Sequence, residues 1–115
     1  MKKANRHQQI NSEFLQAAHK GDLAKLVQAR LDGADVEAVH EQTGMNALHI
    51  AVGTNNLLMV RYLVEQCGAR FTPDRSGRWP TVIAAECEVD DVVGDYVVET
   101  EAAQMQNTGK LAPSL

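Results

Sequence analysis

The sequence has 115 residues, 44% of them apolar and 23% charged, with a formal net charge of −4. That length holds one domain, and the composition suits one packed core. The acidic balance argues against a broad nucleic-acid footprint, no apolar run approaches the roughly 20 residues needed to span a bilayer, and Cys67 and Cys87 are too few for a disulfide scaffold or a metal-ligand pattern.

In chain order, Met1 to Ile10 carries Lys2, Lys3 and Arg6 with no apolar run behind them. This is not a secretory signal, and residues 1–10 are expected to form a polar extension. A cytoplasmic setting follows by default. The first structured unit spans about 11–40. It contains Ala17-Ala18-His19-Lys20-Gly21-Asp22-Leu23, a stripe of Leu23, Leu26, Val27 and Leu31, and a stop at Gly33. The second spans about 41–73. Ala47 to Thr54 predicts a short helix of small residues, Asn55-Asn56 breaks it, and Leu58 to Gln66 predicts a second helix. That helix carries Met59, Val60, Leu63 and Val64 on one face and stops at Gly68. The third spans about 74–104. Pro80 stands where a first helical turn tolerates it, and Val89, Val92, Val93, Tyr96 and Val97 supply the second stripe. Residues 105–115 hold Gly, Pro and Ser without periodicity and are expected to be a flexible tail.

The three units repeat. Ala17 to Ala51 is 34 residues, Ala51 to Ala84 is 33, and Gly44 to Gly77 is 33. A period of this size marks a stacked helical array. Small residues at Ala17, Ala18, Ala51, Ala84 and Ala85 let neighbouring helices approach closely. One helix pair cannot bury its apolar face alone, so the array is stable only as a stack.

These residues resemble the ankyrin repeat family. Gly44-Met45-Asn46-Ala47-Leu48-His49-Ile50-Ala51-Val52 matches the opening of its motif, and Gly33-Ala34-Asp35-Val36-Glu37-Ala38 matches the close. Gly77-Arg78-Trp79-Pro80-Thr81-Val82-Ile83-Ala84-Ala85 keeps the Gly, the Pro and the paired Ala. The likeness runs from about Asn11 to Ala103. Departures include Asn46 for Thr, Ala47 for Pro, Trp79 for Thr, Val82 for His, and Arg30 where Leu is common. The resemblance implies an all-α fold, a short ankyrin-repeat solenoid of stacked helix pairs linked by hairpin-like loops. The first and third copies read as divergent caps.

The resemblance also implies a non-catalytic module that binds another protein as an adaptor or regulatory subunit. The alternative is a dedicated inhibitor, such as an immunity-type protein that blocks a toxin or enzyme. No cofactor, metal, nucleic acid or membrane partner is expected. Family members bind through hairpin tips and the concave surface of the first helices. Carried over, that surface comprises His19 and Lys20; Gln42, Thr43, Met45, Gly53 and Thr54; and Arg75, Ser76, Arg78 and Glu86. Trp79 joins it, because Trp and Arg dominate interface energetics. Trp79 either serves that role with Arg75 and Arg78 or fills a gap beneath the hairpin.

The resemblance implies that His49 ties down the turn by hydrogen bonds, a structural role and not that of a ligand or base. No partner residues of a familiar kind surround the cysteines, so catalysis at either is not expected. The stretch Glu86 to Glu101 holds seven carboxylates and no Lys or Arg. Paired carboxylates can bind metal or do acid–base work, but a solvated outer face is favoured. A docking face for a basic partner is the third reading.

Overall fold

The computed structural model describes residues 6–110. Among the described residues six α-helices run in chain order: α1 Arg6–Lys20, α2 Leu23–Leu31, α3 Ala47–Gly53, α4 Leu57–Arg61, α5 Pro80–Glu86 and α6 Asp91–Lys110. The pairs α1/α2, α3/α4 and α5/α6 stack as three layers, with α3 packed between α1 and α5. Among the described residues there is no strand; Val39 and Asn46 form an isolated antiparallel bridge.

The periodicity explains most of the packing. In α1, Ile10, Phe14, Ala17 and Ala18 are buried on one face. In α3, every residue from Ala47 to Val52 is buried, because layers cover it on both sides. Met59, Val60 and Leu63 seal the second layer, and Val93 and Val97 seal the third. Full burial of each such side chain contributes about 1.5–3 kcal/mol.

Three expectations are corrected in detail. Leu31 is 69% exposed. It stands five residues after buried Leu26, about 140° round the helix. Arg30 takes the inter-layer role, donating from Nη2 to the Gln66 carbonyl at 3.1 Å. Val92 is 61% exposed, one residue off the Val93–Val97 face. The second helix of copy two begins at Leu57, capped by Asn56 Oδ1, and ends in a π turn over Tyr62–Gln66. At the ends, the first and last helices run past the bounds given for the repeats. α1 begins at Arg6 and buries Ile10, so the stack reaches into the stretch expected as an extension. Likewise α6 runs through Lys110, past the start expected for the tail. Residues 1–5 and 111–115 lie outside the described part.

Polar ties hold the layers in register. The Arg70 N–H donates to Glu37 Oε2 at 3.0 Å and the Asp90 N–H to Asn55 Oδ1 at 2.8 Å. Asn55 itself sits at φ 61°, a left-handed conformation that Asn tolerates. At the hairpin tips the Arg75 N–H donates to the Thr43 carbonyl at 3.0 Å. This approach requires glycine at 44. Gly44 has φ +71°, and a Cβ there would lie 2.6 Å from the Arg75 nitrogen.

Candidate partner-binding surface

Two loops project beside the inner helices, residues 32–46 and 67–79. In the first, His40 N–H donates to the Met45 carbonyl at 2.8 Å and Gly44 N–H to the His40 carbonyl at 2.7 Å, closing the tip. Its base is fixed by a reciprocal cap on α3. The Asn46 side chain accepts from the His49 N–H at 2.9 Å, and His49 Nδ1 accepts from the Asn46 N–H at 3.1 Å. Both residues are buried. Nδ1 is therefore an acceptor, which places the neutral ring's proton on Nε2. Nε2 lies under the second hairpin near the Thr72 and Arg78 backbone, without a hydrogen bond of good geometry. Burial pushes the His49 pKa below its ordinary value, and the nearby backbone and the Asp74 carboxylate do not offset it.

The second hairpin is built around Asp74, whose side chain is fully shielded. Its carboxylate accepts from Ser76 N–H and Oγ and from Arg78 N–H, each at 2.9 Å, and from Arg78 Nε at 3.0 Å. Burial alone would raise the Asp74 pKa. The donated bonds from Arg78 and Ser76 outweigh it and hold the value at about 2. Arg78 continues along α5 to Glu86, Nη1 to Oε1 at 3.0 Å. Its bonds to Glu86 and Asp74 raise its pKa further.

The residues expected to bind a partner fall into two groups. Gln42, Thr43, Met45, Arg75, Ser76, Arg78 and Trp79 gather at the hairpin end. Gln42, Thr43, Arg75 and Ser76 are exposed there, while Met45, Arg78 and Trp79 are half-buried. Met45 and Trp79 pack partly against the core. Glu86 joins this group through Arg78. His19, Lys20, Gly53 and Thr54 lie at the opposite ends of α1 and α3, at least one α3 length away, about 10 Å. Gly53 is half-buried against copy three, and the Thr54 hydroxyl donates back to Ile50 and Ala51 carbonyls. The structure thus brings the hairpin residues together and leaves the other four apart.

A concavity of about 610 Å³ lies between α1 and the first hairpin, lined by Gln8, Asn11, Ser12 and Leu15 on one side and Val39 and His40 on the other. Of the expected residues, only Gln42 lines it. Of the lining, only Gln8 falls in the stretch expected as an extension; Asn11, Ser12, Leu15, Val39 and His40 lie within the expected first copy but were not among the residues carried over as binding surface. The available signal for the earlier start of α1 was Ile10 with Phe14 and Ala17, a helical spacing begun before residue 11.

The acidic stretch is not uniform. Glu101 is 7% exposed and accepts from the Thr81 N–H at 3.2 Å and hydroxyl at 2.8 Å. It braces the start of α5 and departs from the expected solvated face. Three residues on, Gln104 accepts from the Phe71 N–H at 2.8 Å and donates to the Ala69 carbonyl at 3.1 Å. Among the described residues no group of His, Cys, Asp and Glu is placed to hold a metal ion. Cys67 is half-buried, and burial pushes its thiol pKa up, which disfavours the reactive thiolate. No described helix is long and apolar enough to cross a membrane.

Three stacked helix pairs, short inner helices and projecting hairpins define a helical-repeat binding scaffold. The family model for ankyrin repeats matches residues 14–105 in three copies. The chain belongs to the ankyrin repeat family, whose repeats generally mediate protein–protein interaction and are typically non-catalytic. A search of curated proteins finds no match.

Proposed function

We propose that the protein is a non-catalytic adaptor or regulatory subunit that binds a partner through the hairpin tips and the concave face. The observation that carries this reading is the concavity between α1 and the first hairpin. It exposes Val39 and part of Leu15 among polar groups, a mixture suited to a protein partner. Neighbouring Arg75 is exposed on the next hairpin, and the Thr43 contact fixes its position. Arg78 contributes differently from the sequence expectation: its guanidinium is held by Asp74 and Glu86, so it orders the surface as much as it offers a contact. Ties between hairpins reduce the ordering cost of association.

The test is capture of the native partner by the full chain, followed by Leu15→Arg, Val39→Asp and Arg75→Glu variants with unchanged circular dichroism. Each variant should weaken capture. Undiminished capture by all three would remove the concave face from the binding surface. Assay of the captured partner then separates two modes. A fall in its activity selects the inhibitor form, and unchanged activity selects the adaptor.

A further inference from the structure

A second cleft, of about 420 Å³, lies between α5 and α6 on the side of the third layer away from the second. Ala84, Ala85, Gly94 and Val98 line it, with Val98 55% exposed. Its rim carries Glu88, Asp90, Asp91, Asp95 and Glu99, all exposed, and no Lys or Arg lines it.

The preceding layer identifies the kind of element that covers such a face. In copy two the corresponding face is covered by the helices of copy three. A Cβ on Gly53 would lie 3.4 Å from Ile83 Cγ2. The Asp90 N–H donates to Asn55, and the Tyr96 hydroxyl donates to Glu65 at 2.8 Å. One 33-residue period further on stand Glu86, Glu88 and Val98. The local geometry repeats: Glu88 adopts φ 51° where Asn55 adopts 61°. All three positions are exposed, and among the described residues Glu86 is touched only from its own copy, by Arg78. Gly94 gives an independent sign of close approach. It lies within α6, where glycine costs about 1 kcal/mol relative to alanine. A Cβ there would meet only Val89 Cγ2, at 3.8 Å, so packing within the chain does not require glycine.

Charge decides among the helical elements that could cover this face. The outer face of α1 and α2 sets Lys20 and Lys25 against Glu13, Asp22 and Asp32. A second copy stacked head to tail therefore brings no net positive charge. Two third layers face to face would oppose their carboxylates. We infer that the α5/α6 cleft docks one basic amphipathic helix of a partner protein, its small apolar stripe over Ala84, Ala85 and Gly94 and its Lys and Arg residues against the carboxylate rim. This rests on the partner-binding reading above but uses a different face.

The test titrates the full chain, isotope-labelled for NMR, with a synthetic helix of about five turns carrying an Ala/Leu stripe flanked by Lys and Arg. A scrambled peptide of the same composition and a Glu-substituted peptide serve as controls. Amide shifts should concentrate at Ala84, Ala85, Gly94 and Val98, with neither control binding comparably. Asp91→Lys/Asp95→Lys should weaken binding by about tenfold or more, and Gly94→Leu should block the cleft. If a variant loses its fold, the salt dependence of wild-type binding supplies the charge test, with weakening expected at high salt. Equal binding of the scrambled peptide, salt-independent binding, shifts confined to the hairpins, or no binding would each overturn the inference. A chain that captures its native partner through the concave face yet ignores the basic helix would refute this inference alone. Loss of capture in the concave-face variants with the helix still bound at α5/α6 would keep it.

Discussion

The second and third copies perform the same task with different parts. In copy two, the start of α3 is fixed within four residues, by Asn46 and His49 holding each other's backbone. In copy three, α5 begins at Trp79, which has no side-chain capping bond. Its first turn is instead held by Glu101, twenty residues ahead of Thr81, and the hairpin before it by Asp74. A cap made by neighbours forms with its own turn. A cap supplied from α6 exists only when the whole layer has assembled, which couples the hairpin surface to the far end of the chain.

The largest effect should come from removing Asp74. Asp74→Ala leaves the Ser76 and Arg78 amides without their acceptor and should cost about 2–3 kcal/mol, read as a lower urea midpoint. A loss below about 1 kcal/mol would mean that water replaces the carboxylate. Acid should next separate the two hairpins. The folded Asp74 pKa of about 2 lies below the ordinary 3.8. Its stabilisation is therefore present above the ordinary value and is lost as pH falls from there toward 2. His49 is depressed below 6.5. It stays neutral in the fold while the unfolded chain takes up a proton, so stability begins to fall as pH drops below about 6.5. Urea midpoints measured across this range should decline in two stages. Asp74→Asn should shrink the lower stage, leaving the smaller part that Glu65 contributes through Arg61 and Tyr96, and keep the upper.

Asn46→Ala breaks the local cap and should cost about 1–2 kcal/mol, less than Asp74→Ala because fewer donors lose their acceptor. An equal or larger loss would reverse the ranking of the hairpins. The contrast also explains what the sequence disclosed. The Asn55-Asn56 break and the Val93–Val97 pair follow from local chemistry and period, and His49's structural role from the family's motif; Asn46 stood there only as a departure, and its part in the cap was not read. Leu31 and Val92 misled because apolar identity does not fix an angle on a helix: Leu26 and Ala29 claim the buried face of α2, and Val93, one residue on, claims that of α6. Glu101 and Gln104 were unreadable as braces. Their partners Thr81 and Phe71 are distant in sequence, and a carboxylate in an acidic run carries no mark of burial. The concave cleft was missed for a similar reason: its α1 wall of Gln8, Asn11, Ser12 and Leu15 is distant in sequence from Val39 and His40 on the hairpin, and nothing in their identities marks them as one surface.

The smallest expected effect tests the long-range cap directly. Glu101→Gln keeps the size and an acceptor oxygen but removes the charge that strengthens both Thr81 bonds. Thr81 is half-exposed, so water can satisfy part of what is lost, and global stability should fall by only about 0.5–1 kcal/mol. The loss should be local. Hydrogen exchange should quicken at the Thr81 amide, which donates to Glu101, while protection at His49 and Ile50 stays unchanged. Uniform acceleration across α3 and α5 would mean that the layers open together and that the third copy's cap supports the whole stack. Acceleration confined to α5 would make the third layer a separately opening unit. In that case its hairpin surface could loosen while the second copy remained closed.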